Sequence, residues 1–215
     1  MRRAISIALA ALVLAAPAAL AAHEFSLGAS LGLFAFGDQK AYEGRSMLYL
    51  TSLGGDTSAS RRADWAVVPS LTQDWRFHRF AAVELKERFW QSAIKGVFGS
   101  AALDYRLART VIPLTLALKL ILTNSDSDAG VTLSAGPGLY VLSTDERGAF
   151  GSGADTAPRF GGHLTGGFFV RMYGPLYLRA DIGYDWFSIP QQNPFMDDGG
   201  AGGGLTVTGG VDLTL

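Results

Sequence analysis

Charged residues recur at every second position inside otherwise apolar segments of this chain. Asp74 and Arg76 form one such set, and Glu84, Lys86 and Arg88 a second. Lys119 and Arg171 stand singly, Arg179, Asp181 and Asp185 form a third set, and Asp212 lies near the end. A spacing of two puts side chains on one face of an extended strand. Acids and bases converging from several strands have two chemical uses. Hydrated, they form a path for ions. Removed from water, they must pair, because an uncompensated charge in a low-dielectric interior costs several kcal/mol.

A second constellation places His163 two residues before Thr165, a base beside a hydroxyl. Nucleophilic catalysis needs base, nucleophile and an orienting acid together. The sequence offers no carboxylate with an evident claim to that third role, so His163 is read as structural. The absence of cysteine excludes thiolate zinc sites. The Gly-rich tract 199–204 has neither a lysine nor a strand-to-helix context, so it is not a phosphate loop. No catalytic, cofactor or metal residues are expected. With 18 Lys+Arg against 19 Asp+Glu the net charge is near zero, which argues against nucleic acid as a partner.

The elements that position these residues are strands. Phe25, Leu27, Ala29, Leu31 and Leu33 alternate with Ser26, Gly28, Ser30 and Gly32. A polar face of only Ser and Gly suits a narrow interior better than bulk water. Residues 65–77 and 80–90 form a hairpin around His78-Arg79, with Gln73 and Glu87 breaking the apolar side. A bulge, or a position above an apolar band, accounts for these two. Thr110–Thr123 carries an unbroken apolar face from Ile112 to Leu122. Val131–Leu142 follows, then a second hairpin, 160–172 and 176–187, around Tyr173-Gly174-Pro175. Leu205–Leu215 alternates to the last residue.

Asp38–Asp64, Thr144–Pro158 and Ser188–Gly204 read as loops, and Gln91–Arg109 is also treated as one. Connections then alternate long and short, and eight strands result. Strands at Ser46–Leu53 and Val97–Leu107 would give ten, the alternative. Arg2 and Arg3, the apolar run Ala4–Ala16 and the small-x-small site Ala19-Leu20-Ala21 predict a cleaved secretory signal at residues 1–21. Residues 22–215 then form a single domain. Export, alternating strands and long loops on one side predict an all-β fold, a transmembrane antiparallel up-and-down β-barrel. The aromatics Trp65, Trp75, Phe77, Phe89, Tyr173, Tyr184 and Trp186 fall near strand ends, where interfacial girdles form.

Three stretches carry a family resemblance: Gly136-Pro-Gly-Leu-Tyr-Val, Phe160-Gly-Gly-His-Leu-Thr-Gly-Gly and Leu176-Tyr-Leu-Arg-Ala-Asp-Ile-Gly-Tyr. With the terminal apolar strand, they resemble the small outer-membrane β-barrels of the OmpA/OmpX type, barrel domain only. Members commonly end in an aromatic residue recognised by the insertion machinery, whereas this chain ends in Leu215. The resemblance implies a bacterial outer-membrane location of Gram-negative type, contact with outer-membrane lipid, passage through the barrel-insertion machinery, and a monomer. The resemblance is hardly specific for activity; a non-enzymatic role in which external loops bind a ligand, not identified by the sequence, or protect the envelope needs no special residues and is the reading adopted. A narrow channel or carrier for small apolar molecules is the alternative, given the room left by Gly28 and Gly32. A barrel-embedded lipid-modifying enzyme is the third reading. It compares with the lipid A deacylases, but their His-x-Ser pairing is His-Leu-Thr here. An interior of eight strands is just wide enough for side chains to fill, so the inward charges are expected to close the lumen.

Overall fold

The computed structural model describes residues 24–37, 61–62, 65–98, 103–123, 128–148, 151–188 and 201–215. The expected signal segment 1–21 and the optional strand Ser46–Leu53 lie outside them. Among the described residues all regular structure is β. The segments are β1 (Glu24–Phe36), β2 (Arg61–Arg62), β3 (Trp65–His78), β4 (Ala81–Arg88), β5 (Trp90–Phe98), β6 (Leu103–Thr123), β7 (Ala129–Gly148), β8 (Gly151–Tyr173), β9 (Leu176–Ser188) and β10 (Ala201–Thr214). Every pairing is antiparallel, and β1 joins β10, from Ser26↔Thr214 to Phe36↔Gly204, which closes the ring.

Ten segments make eight staves. β4 and β5 pair the same neighbour in one continuous register, Ala81↔Leu120 to Glu87↔Leu114 and then Trp90↔Val111 to Phe98↔Leu103. The break falls where Pro113, which has no N–H to give, sits opposite Arg88. β2 likewise continues β3 along the same neighbour, Arg61↔Lys95 and Arg62↔Ile94. The barrel is therefore the eight-stranded, up-and-down form.

Two stretches read as loops are strand instead. Residues 91–98 and 103–109 extend one hairpin, and β7 and β8 pair from Thr144↔Asp155 out to Gly148↔Gly151, with Pro158 opposite Val141. Gly, Ser, Asp and Arg in these stretches weaken the apolar alternation by which a strand is read from sequence. At the opposite end the connections are tight: Arg79-Phe80 joins β3 to β4, and Gly174-Pro175 joins β8 to β9, with Gly174 at φ 54°. That left-handed conformation favours glycine.

Most of the wall sorts its faces by alternation, although Gln73, Trp75 and Leu85 are buried at outward positions. Leu31, Leu71, Leu118, Leu122, Ile182 and Val207 point outward and are exposed, Leu118 by 55 %. A continuous apolar exterior on a closed, edge-free sheet suits hydrocarbon, where every backbone polar group must be satisfied internally. Gln73 and Glu87 stay on this outer wall. Their register with Leu85 and Leu71 is unbroken, and the irregularity on β3 lies lower, between Arg76 and His78.

Candidate functional site

The inward faces fill the lumen in two storeys. Nearer the termini, Lys119 Nζ meets Asp74 Oδ2 at 2.6 Å and Glu84 Oε2 at 3.1 Å. Lys86 Nζ lies 3.2 Å from Asp181 Oδ2 and 3.9 Å from Glu84. Arg179 spans Asp181 at 3.0 Å and Asp212 at 3.1 Å, and donates to Thr72 Oγ1 at 2.8 Å. Ser134 Oγ donates to Glu84 at 3.1 Å. Five staves thus contribute to one ion-paired layer, and Glu84, Lys86, Lys119, Arg179 and Asp181 are all buried. Below it, a small cavity of about 50 Å³ is lined by Glu24, Asp74, Arg76, Lys119, Arg179 and Asp212 among others. Arg76 pairs there with Glu24 at 2.5 Å, each about one-third exposed.

Further along the axis the Arg88 guanidinium grips Asp185 with both terminal nitrogens, each at 2.5 Å. Tyr140 Oη lies 2.8 Å from the same carboxylate and 2.7 Å from the Gly162 carbonyl, two acceptors that share its one proton. An aromatic lid closes over this cluster. Phe34 stacks on Trp90 at 4.2 Å and Tyr140 on Phe187 at 4.5 Å, with Val68, Val111 and Leu142 buried between them. Arg88 reaches toward the Trp90 ring at 5.9 Å. Sequence reading identified the charges but not this lid, although Phe34, Trp90 and Tyr140 hold inward positions by strict alternation.

Of the expected lumen charges, Asp74, Glu84, Lys86, Arg88, Lys119, Arg179, Asp181, Asp185 and Asp212 come together in these two layers. Arg76 stands at the rim. Arg171 does not join them: it is exposed beside the Gly174 turn, donating to the Gly174 carbonyl at 2.7 Å and lying 3.6 Å from Asp128. It keeps the inward register, opposite Tyr177, but stands in the last row before the turn, where its side chain leaves the lumen for solvent.

His163 has the orienting acid that the sequence did not reveal. Its Nδ1 lies 3.2 Å from Asp185 Oδ1 and 3.3 Å from Arg88 Nη2, and its Nε2 lies 2.5 Å from Thr165 Oγ1. Acid, base and hydroxyl are thus in line. They are also sealed: His163 is 1 % exposed, Thr165 4 % and Asp185 0 %. Thr165 Oγ1 faces Gly183, where even an added methyl group would crowd it. Among the described residues the Thr165 hydroxyl has no open side from which a substrate could approach. The three groups form one buried hydrogen-bonded chain.

The space beside Gly28 and Gly32 is occupied by neighbouring groups. A methyl group on Gly28 would strike the Asp212 carboxylate, and one on Gly32 the Val207 carbonyl and Thr208.

No protein-family model and no curated protein matches the chain by sequence. Solved structures match its shape. The outer membrane protein OprG from Pseudomonas aeruginosa aligns with TM-score 0.55 at 12% identity, over 90% of this chain and 96% of that one. A major outer membrane protein from Thermus thermophilus aligns with TM-score 0.53 at 11% identity, over 89% and 99%. The fold is that of a small outer-membrane β-barrel. Ail, the attachment invasion locus protein of Yersinia pestis, is also similar, at 11% identity and TM-score 0.48 over 89% and 98% of the chains. At such identities the likeness speaks for architecture and not for activity.

Proposed function

We propose that the chain is a non-enzymatic barrel of a Gram-negative-type outer membrane, exported by its amino-terminal segment. Its lumen is a filled post, and its work is done by the projecting β5–β8 ribbons and the segments between them, in binding or in protecting the envelope. The observation that carries this reading is the double closure of the lumen, an ion-paired layer beneath an aromatic lid. Such an interior stiffens a wall and offers neither a path nor a reaction chamber. The sealed Thr165 hydroxyl argues in the same direction against lipid modification.

Two measurements test it together. A closed barrel resists detergent until boiled, so unheated and heated samples should migrate differently in a denaturing gel, with the protein recovered from the outer-membrane fraction. Deleting the gene should leave the acylation pattern of the envelope lipids unchanged. Recovery as a soluble periplasmic protein would overturn the location, and a changed acyl pattern restored by wild type but not by Thr165→Ala would overturn the non-enzymatic role.

A further inference from the structure

Among the described residues, the ion-paired layer nearer the termini does not balance its own charge. Asp74, Glu84, Asp181 and Asp212 bring carboxylates into it, and only Lys86, Lys119 and Arg179 bring cations. Each cation is already shared. Lys119 meets Asp74 and Glu84, Lys86 meets Asp181 and Glu84, and Arg179 meets Asp181 and Asp212. At the rim Arg76 and Glu24 cancel, and in the next level Arg88 and Asp185 do the same. One negative charge is left over in a low-dielectric interior, where an uncompensated ion is expensive.

The same layer holds unmet acceptors. Asp74 and Asp212 each give one carboxylate oxygen to a cation, Lys119 at 2.6 Å and Arg179 at 3.1 Å. Their second oxygens, Asp74 Oδ1 and Asp212 Oδ1, are buried and meet no donor among the described residues. A buried polar atom without a protein partner calls for an explanation, and a bound ion or water is a usual one. Strand register brings the two acids close. β1 runs between β3 and β10, with Ser26 opposite both Asp74 and Thr214, and Gly28 opposite both Thr72 and Asp212. On β1, therefore, only a small hydroxyl side chain and a hydrogen atom separate the two carboxylates. Glycine at position 28 keeps the place that Asp212 Oδ1 takes, since a methyl group there would strike it.

Both acids line the cavity of about 50 Å³ beneath the layer, together with the hydroxyl side chains of Ser26, Thr132 and Thr214. One water needs about 10–15 Å³ of such space, so the cavity takes a small ion with two or three waters. Carboxylate oxygen and water are the donors that hard cations prefer. Charge then sets the valence. A single positive charge makes the layer neutral, whereas a divalent ion would leave it positive beside Lys119 and Arg179. Among the described residues no group of three or more His, Cys, Asp or Glu could hold a metal ion directly, which also favours a hydrated monovalent one. Entry is from the terminal end, past the Glu24–Arg76 pair, each about one-third exposed. The ion-paired layer and the aromatic lid close the far side, so the site is a dead end and not a path.

We infer that this cavity binds one monovalent inorganic cation of sodium or potassium size, held by Asp74 Oδ1 and Asp212 Oδ1 with water, and that the ion completes the charge balance of the lumen. The test unfolds the full mature chain with urea in vesicles of uncharged lipid, followed by tryptophan fluorescence. Sodium chloride is compared with N-methylglucamine chloride, whose cation is too large for the cavity, at one ionic strength, so that general screening is constant. A ligand bound only by the folded state multiplies the folded-to-unfolded ratio by one plus its concentration over its dissociation constant. Sodium should raise that ratio at a fixed urea concentration at least about tenfold, as free cation at roughly ten times its dissociation constant requires. Asp212→Asn, which keeps an oxygen for Arg179 and removes the surplus charge, should lose the difference between the salts. Glu87→Gln, which removes an acid from the outer wall, should keep it. Equal stability of wild type in the two salts overturns the proposal even if Asp212→Asn fails to fold, and assigns the surplus charge to a proton. So does a folded Asp212→Asn that keeps the sodium effect, or its loss in a folded Glu87→Gln. Calcium chloride stabilising wild type more than sodium chloride at equal ionic strength overturns the monovalent assignment.

Discussion

Asp185→Asn changes one atom's chemistry at the best-connected point in the lumen. The native carboxylate receives both Arg88 nitrogens at 2.5 Å and the Tyr140 hydroxyl at 2.8 Å, and lies 3.2 Å from His163. An asparagine keeps one acceptor oxygen, so the Tyr140 bond survives. Its amide group turns N–H toward N–H on the second limb of the Arg88 fork, and the buried guanidinium loses its counter-charge. Removing one member of a buried pair typically costs about 3–5 kcal/mol, and charge-assisted bonds of about 1.5–3 kcal/mol each give the same range. The lower figure is roughly a 150-fold change in the folded-to-unfolded ratio, at 1.4 kcal/mol per factor of ten. Urea titration in lipid vesicles, followed by tryptophan fluorescence, would read it, with Trp90 next to the perturbed arginine as reporter. Arg88→Met combined with Asp185→Leu should cost well below the sum of the two single changes, because the second substitution removes the charge stranded by the first. A loss under about 1 kcal/mol for Asp185→Asn, or strict additivity in the double variant, would refute the pairing argument.

Three further outcomes follow from the same geometry. Leu118→Arg, on the lipid side of β6, should lower stability in vesicles by about 2–4 kcal/mol, read by the yield of heat-modifiable barrel. Gly32→Ala should destabilise the β1–β10 seam by about 1–3 kcal/mol through its clash with the Val207 carbonyl, whereas Gly166→Ala, with nothing within 4 Å of the new methyl group, should leave unfolding midpoints within error. Trp90→Ala should cost about 3–5 kcal/mol yet leave the barrel closed to ions, because the ion-paired layer beneath the lid is untouched.

The sequence made the faces legible and left the partners hidden. Alternation from Leu205 to Leu215, or from Leu176 to Trp186, separates wall from lumen without reference to anything else, and the buried charges on those strands fall where alternation puts them. Which acid meets which base depends on barrel closure: Lys86 and Asp181 are 95 residues apart in the chain, and no local pattern links them. The Asp185–His163 contact was nearer to hand. A plain register outward from Tyr173↔Leu176 would set inward His163 against outward Trp186, a conflict of faces that requires one extra residue. The irregularity between Arg171 and Tyr173 supplies it and brings His163 opposite Asp185. The ribbons at 91–109 and 144–158 were illegible for a different reason. Gly, Ser and Asp in those stretches interrupt the apolar alternation and resemble loop residues.

The central claim is a lumen closed at two levels, and current through a single barrel tests it most directly. Wild-type protein in a planar bilayer at neutral pH should show no steady conductance above background across a wide voltage range, because Lys119, Arg179 and their acids fill one level and Trp90, Phe34 and Tyr140 the next. A large, stable, ion-selective conductance from wild type would contradict the account and assign the inward charges to a path for ions.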